Sequence, residues 1–460
     1  MKSLTSLWSC AAKELATRCC TSATLDIKYV ESRVEHEGLS FLAITLADFG
    51  KAIQKWLDQG HVTPWDAPAF ARKRGRLTGL PVFLQGFLAR VFDPASGALL
   101  DSPDIEAIYA IRQLTLMFSK IALPRASVQG MPNEVVTPRR ERLAMSEYVQ
   151  CEQEVKFSDS ILDPQFIEDF KRVSLVLYGD MFDWMEETLS ISKLLPKHGP
   201  GAVADRLSSN AKYDSRTWTT RLQSVFPAED YLVPNGHYNG SVVSDSCYSE
   251  SATAHCYSVK STGFNFLEPG SEIPVRVITV PKTLKTPRII AIEPACMQYM
   301  QQALFRLILD GLKRDDFLYS VIGIEDQDPN RELACYGSLS GELATLDLSE
   351  ASDRVSNQHV RVLFADHPLL LEAVQASRSR KADVPGHGVQ RLAKFASMGS
   401  ALCFPIEAMV FLTIIYLGIE SELSAPLSCE ADVNRFRKQV RVFGDDLIVP
   451  QTMCCPSSMH

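Results

Sequence analysis

An α+β fold is predicted for this chain of 460 residues by two patterns that coexist in it. Apolar residues recur at helical spacing at Met297, Met300, Leu304, Leu307 and Ile308. They do so again from about Ile406, through Met409, Val410, Thr413, Ile414 and Leu417; the other face of this helix is also apolar, so burial on most sides is expected. Short β-rich runs stand beside these helices: Val275, Val277, Ile278 and Val280, then Ile289, Ile290 and Ile292, then the two halves of 440–449. Hydrophobic residues make up 46% and charged residues 22%, a globular composition that excludes wholesale disorder. At roughly 100–200 residues per domain the length suits a chain of several domains.

Lys and Arg number 47 against 55 Asp and Glu, a formal net charge of −8. That excludes a histone-like or coat-type basic binder and leaves room only for a local basic channel. The longest apolar run, 408–419, is closed by Glu407 and Glu420. It falls short of the roughly 18–20 apolar residues that span a bilayer. Lys13 and Glu14 arrive before any signal-peptide core forms. A soluble chain with no membrane partner and no secretion signal is expected. The twelve cysteines include two doublets but no C-x-x-C spacing, so reduced, mostly buried thiols are expected rather than zinc ligands.

In chain order, the first 190 residues read as helices joined by polar turns. Two basic clusters, Arg72, Lys73, Arg74 and Arg76, then Arg139, Arg140 and Arg142, suit either RNA phosphates or a solvated face. Residues 227–263 hold seven serines from Ser241 to Ser261, with the turn pairs Asn235-Gly236 and Asn239-Gly240. This reads as a long loop or hairpin excursion. Two strands joined by a loop follow in 274–292. There Lys282, Lys285 and Arg288 sit three residues apart, interleaved with the stiffening prolines Pro281 and Pro287. Fixed cations of this kind suit a polyphosphate, and a solvated basic loop has the same appearance.

Leu343-Ala344-Thr345-Leu346 reads as a strand that delivers Asp347 at its end. Ser349 to Asp353 then reads as the start of a helix capped by Ser349 or Ser352. Phe395-Ala396-Ser397-Met398-Gly399-Ser400 is a small-residue loop leading into the apolar helix. It either lets backbone approach a ribose or template strand, or is an ordinary N-capped loop.

Val440-Arg441-Val442-Phe443-Gly444-Asp445-Asp446-Leu447-Ile448-Val449 reads as a hairpin with the two acids at its tip. Adjacent carboxylates between apolar strands need a positive neutraliser, for which a divalent metal is suited. By composition the tripeptide arises in roughly one chain in ten of this length, and alone it reads equally as an Asp-rich turn. Asp347 together with Asp445 and Asp446 gives a set able to hold two metals about 3.5–4 Å apart, as in-line phosphoryl transfer requires.

Taken together, basic loop, strand-end Asp, Met-Gly-Ser loop with helix and Gly-Asp-Asp hairpin resemble RNA-dependent RNA polymerases in sequential layout. The wording resembles one branch, the replicase subunit of single-stranded RNA bacteriophages, the leviviruses. The matching residues are Lys197-His198-Gly199-Pro200-Gly201, Val280-Pro281-Lys282 with Pro287-Arg288-Ile289-Ile290-Ala291-Ile292-Glu293-Pro294, Asp347-Leu348-Ser349 with Ala351-Ser352-Asp353, and Ser397-Met398-Gly399. The resemblance runs from about residue 196 to 450.

It implies a right-hand polymerase, with an N-terminal region and part of the fingers in 1–195, fingers in 196–335 and an antiparallel-sheet palm in 336–460. Asp347, Asp445 and Asp446 would be the catalytic ligands of two Mg²⁺ ions, with Mn²⁺ as the alternative. Lys282, Lys285 and Arg288 would meet the nucleoside triphosphate, Asp353 its ribose 2′-hydroxyl, and Gly399 and Ser400 would support nucleotide and template. Ser400, Ala401 and Cys403 stand where the family often has Asn, Gly and Thr. Further palm motifs and a thumb are implied after Asp446, where 14 residues remain, so a C-terminally truncated replicase with its thumb largely missing is expected. The implied partners are RNA template and product, ribonucleoside triphosphates, host elongation factors Tu and Ts and a ribosomal protein, in the cytoplasm of an infected bacterium. The rivals are an inactive replicase fragment that binds only RNA or host factors, and another two-metal enzyme such as a reverse transcriptase or nuclease.

Overall fold

The computed structural model describes residues 2–70, 79–121, 138–207, 209–232, 264–280 and 287–454. The basic cluster at Arg72–Arg76, the serine-rich stretch from Ser241 to Ser261 and the loop residues Lys282 and Lys285 lie outside them. The chain divides into two compact units, Met1–Ala144 with Thr279–Arg288, and Met145–Ile278 with Ile289–His460.

The first unit is helical, with Lys2–Arg18, Thr24–Glu37, Leu46–Gln59 and Ile105–Leu116 as its longer elements. Its core is aromatic: Trp8, Phe41, Phe49, Trp56 and Phe87 are almost fully buried. The indole of Trp8 donates to the Leu114 carbonyl at 2.7 Å, so its one polar atom is satisfied. Asp104 caps Ile105–Leu116 by accepting from the amides of Glu106 and Ala107.

The second unit is built around three long helices, Pro164–Ile191, Ala295–Arg314 and Cys403–Leu423. All five residues whose spacing predicts the middle helix are buried. Tyr178 donates to the Met409 carbonyl at 2.8 Å, joining the first of these helices to the third. Gly311 leaves room for Met181, which a Cβ would meet at 2.9 Å. Cys403–Leu423 is the one helix among the described residues long and apolar enough to cross a membrane; 67% of its apolar stretch is buried in the protein, as a core helix requires. As expected from its two apolar faces, the helix is buried on most sides: Met409, Val410 and Thr413 are inside together with Leu412, Ile415 and Tyr416, while Ile414 is 40% exposed.

Nine strands form three sheets among the described residues. β1 (Thr217–Thr219) pairs in parallel with β2 (Asn265–Leu267). β3 (Val275–Val280) and β4 (Arg288–Ile292) are the two strands expected around the basic loop. They join β6 (Lys381–Val384) and β7 (Gly388–Arg391) in the order β4-β3-β6-β7. β5 (Leu343–Asp347), β8 (Arg441–Phe443) and β9 (Asp446–Pro450) make an antiparallel sheet in the order β5-β9-β8.

Two local expectations are corrected. Neither Ser349 nor Ser352 caps the helical turn Ala351–Arg354: its N-cap is Glu350, at φ +56°, without a side-chain cap bond. The turn is held instead by distant partners, with Lys394 and Ser397 donating to the Asp353 carboxylate and Cys151 to its carbonyl. Of the described cysteines, Cys19, Cys151, Cys296 and Cys403 are buried, but Cys10, Cys20, Cys335 and Cys429 are exposed, so the thiols are free without being mostly buried.

Candidate active site

β5 and β9 run antiparallel with Asp347 directly opposite Asp446, and Phe443 faces Asp446 from the other side. Gly444 and Asp445 are the two loop residues of the hairpin. Gly444 takes φ +60° while Asp445 keeps a negative φ, the type II′ arrangement that matches strand twist. The glycine is also required by packing. A Cβ there would overlap the Phe404 ring, which itself meets Phe443 edge-on at 5.2 Å. The start of the core helix thus fixes the hairpin tip.

All three carboxylates are exposed. The Asp446 carboxylate accepts from the Gln327 amide at 2.8 Å. Asn330 donates to the Asp446 carbonyl at 3.5 Å while its own Oδ1 accepts from Arg441 at 2.7 Å. Among the described residues no Lys or Arg pairs with Asp347, Asp445 or Asp446, and no three His, Cys, Asp or Glu side chains converge into a ready-made metal cage. The donor set still fits Mg²⁺, which takes oxygen ligands and is held by one or two carboxylates plus substrate phosphates.

Asp353 lies on the turn after β5. Its Oδ1 accepts from Lys394 Nζ at 3.1 Å and from Ser397 Oγ at 2.8 Å. The Met398-Gly399 loop is pinned to β4, with the Ala291 amide donating to the Met398 carbonyl at 2.8 Å. Gly399 sits at φ +128°, its α-carbon against the Ala291 carbonyl group. Ser400 Oγ donates to Gln301 Oε1 at 3.1 Å, so this hydroxyl holds the loop to helix Ala295–Arg314. Arg288 is exposed at the start of β4.

Sequence reasoning missed Glu407. This residue is 4% exposed on Cys403–Leu423 and its carboxyl is pushed up to about 8, first by burial and then by the charges of Asp445 and Asp353. It therefore lies within electrostatic reach of both the hairpin tip and the turn after β5. The available signal was an isolated acid in the second turn of an apolar helix. The turn His198-Gly199-Pro200-Gly201 also gains a physical role. Lys212, itself buried, donates to the carbonyls of Gly199 and Gly201, and His198 stacks on Tyr299 at 4.4 Å. Asp205, just beyond, accepts from the Ala295 amide at 2.7 Å and caps the central helix.

Among known proteins, the family described as RNA replicase, beta-chain, matches residues 247–459. The matched segment makes up just under half of the chain. It contains the β5 strand, the Met-Gly-Ser loop and the hairpin. The chain is 34% identical over 179 residues to the RNA-directed RNA polymerase subunit beta of Qbeta virus strain MX1, covering 39% of this chain and 28% of that protein. It is 33% identical over 181 residues to the corresponding subunit of Enterobacteria phage SP, covering 39% and 28%. Against the RNA-directed RNA polymerase beta chain of Escherichia phage MS2 it is 32% identical over 176 residues, covering 38% and 28%. The aligned replicase segment thus spans less than a third of the length of these relatives.

Behind the segment's loop lies a buried acid that makes stability depend on pH. Glu293 is 3% exposed and its carboxyl is pushed up to about 7 by burial, against the opposing hydrogen bonds of Ser379 and Gln301 and the charge of Arg378. A carboxyl raised on folding contributes most below its unfolded value of 4.5, and that contribution is lost as pH rises through about 7. Glu293→Gln is expected to flatten the decline in stability across this window. Urea melts of parent and variant at pH 5 and pH 8 check it; parallel declines in both would refute the assignment.

Proposed function

We propose that this chain is the catalytic part of an RNA-dependent RNA polymerase that copies a single-stranded RNA phage genome. The carrying observation is Asp347 opposite Asp446 across β5 and β9, with Asp445 on the tight turn beside them and no cation pairing any of the three among the described residues. Mg²⁺ bound there, with Mn²⁺ as a substitute, would supply two-metal charge neutralisation for attack of a 3′-hydroxyl on the α-phosphorus. In that reaction the 3′-oxygen–phosphorus bond forms, the bond to the pyrophosphate oxygen breaks, and the hydroxyl proton passes to solvent.

Asp347, Asp445 and Asp446 hold the metal in this reading. Lys282, Lys285 and Arg288 bind the triphosphate, Asp353 meets the ribose, and the Gly399-Ser400 loop supports nucleotide and template. Watson–Crick pairing selects the base, so the protein reads backbone and shape. Elongation factors Tu and Ts and a ribosomal protein are proposed helpers in the infected bacterial cytoplasm. The relatives' names and the match over the acids favour this reading over an inactive binding fragment.

The test is incorporation of labelled ribonucleotide on an RNA template. Signal that requires both Mg²⁺ and template supports the proposal. Its absence under conditions where a related replicase works would overturn it.

A further inference from the structure

Lys394 has no exposed surface, an unusual position for an ammonium group. It lies between β7 and the Met398-Gly399 loop. Its Nζ is 3.1 Å from Asp353 Oδ1, 4.0 Å from Glu152 Oε2 and 3.6 Å from the centroid of the Tyr148 ring. Glu152 is buried too. Its Oε1 accepts from the Ala393 amide, while its Oε2 has no hydrogen-bond partner among the described residues. One enclosed cation is thus faced by two carboxylates and a π-face, and it makes its hydrogen bond to Asp353.

The direction of that bond matters. Lys394 and Ser397 both donate to the same oxygen, Asp353 Oδ1. The Tyr148 hydroxyl lies 2.9 Å from Ser397 Oγ and steadies the second donor. Asp353 Oδ2 accepts no hydrogen bond among the described residues, and Asp353 is partly open to solvent. A carboxylate gripped at one oxygen by a charged and a neutral donor has its torsion set and presents the other oxygen in a fixed direction. Arg378, donating to the carbonyls of Leu392, Lys394 and Phe395, fixes the backbone that carries the clamp.

We propose that Lys394 is a positioning residue that locks the Asp353 carboxylate so that Oδ2 is aimed to accept a hydrogen bond from the incoming ribose hydroxyl, making Lys394 a determinant of sugar selectivity. This rests on the reading of Asp353 as the ribose-contacting group. A site organised to hydrogen-bond a hydroxyl discriminates strongly against the analogue that lacks it, because the acceptor is then left unpaired. Removing the clamp frees the carboxylate to turn away, and the discrimination falls.

The experiment measures kcat/KM for a ribonucleotide and for the deoxyribonucleotide with the same base, on one RNA template, for parent and variants. Lys394→Met is expected to lower the ribo-to-deoxyribo ratio by about tenfold or more, with the ribonucleotide losing most. Asp353→Asn should lower it comparably, and the double variant should add little, since both act on one contact. A ratio unchanged in an active Lys394→Met protein, with both sugars falling together, would overturn the proposal in favour of a structural role.

If Lys394→Met alone does not fold, Glu152→Gln added to it removes the stranded buried carboxylate. Ser397→Ala independently removes the second donor to Oδ1. An unchanged ratio in both of these folded proteins would equally refute the clamp. If the parent chain incorporates neither sugar, the polymerase reading fails and this inference fails with it, an outcome distinct from an active variant of unaltered selectivity.

Discussion

Asp445→Asn is expected to lower Mg²⁺-dependent ribonucleotide incorporation by roughly three orders of magnitude, while the melting temperature stays within a few degrees of the parent. The two halves of that expectation come from different features of the site. Asp445 is exposed on a two-residue turn, keeps an ordinary negative φ, and accepts no hydrogen bond among the described residues. Its amide isostere therefore disturbs no contact that holds the hairpin. The turn depends instead on Gly444 against Phe404 and on the β8–β9 register.

What the substitution removes is a negative charge in a group of three with no neutralising Lys or Arg among the described residues. An amide oxygen is a weak substitute as a ligand for a hard dication. Loss of a negative charge from Glu407's surroundings works the other way on stability, since Asp445 opposes ionisation of that carboxyl. Asp446→Asn is a less clean probe, because it also changes the partner of the Gln327 amide. Parallel incorporation assays and thermal melts decide the matter. Equal incorporation by Asp445→Asn and parent would remove the acids from the chemistry, and a large fall in melting temperature would make any lost activity uninformative.

Much of this site was legible because its signals are local. A glycine before two acids, flanked by two short β-rich runs, specifies a tight hairpin from ten consecutive residues, and the hairpin is present. Val275 to Val280 forms a strand as its β-type residues predict, with buried and half-buried positions alternating along it. The partners of the site residues left no such trace. Tyr148 and Ser397 are 249 positions apart, and Ala393 meets Glu152 across 241. No periodicity or turn rule relates residues at that distance, so the clamp on Asp353 emerges only from the tertiary structure.

The failure at Ser349 and Ser352 is of another kind. Local capping chemistry was available, but Glu350 stands at the N-cap in a left-handed conformation, and the turn's Asp353 carboxylate bonds to residues distant in sequence, Lys394 and Ser397. The helix Cys403–Leu423 is apolar on both faces and is buried on most sides as that pattern predicts, but which position stays open, Ile414 at 40% exposure, follows only from its neighbours. Sequence patterns report what a segment can bury, and the packing of other segments decides which side it does bury.

Gly399→Ala is expected to be the most damaging single methyl group in the second unit, destabilising the protein by about 3 kcal/mol or more. Two costs combine at this position. At φ +128° an L-residue is strained wherever space allows one. Here space does not: the new Cβ would overlap the Ala291 carbonyl oxygen and lie 2.9 Å from its carbon. Backbone on a paired strand cannot move aside as a side-chain tip can, and the Ala291 amide is already committed to the Met398 carbonyl. Relief therefore requires the loop to leave β4, and the Ser397 donor to Asp353 lies two residues away.

Gly341→Ala separates the two costs, because Gly341 has φ +72° and nothing within 4 Å of an added Cβ, leaving backbone strain alone at about 1 kcal/mol. Gly201→Ala, with neither positive φ nor a close neighbour, serves as the baseline. Denaturant melts of the three variants should rank Gly201→Ala, Gly341→Ala and Gly399→Ala in order of increasing loss. If Gly399→Ala were no worse than Gly341→Ala, the close approach of loop and strand would not exist in solution, and the geometry that carries Ser397 to Asp353 would have to be redrawn.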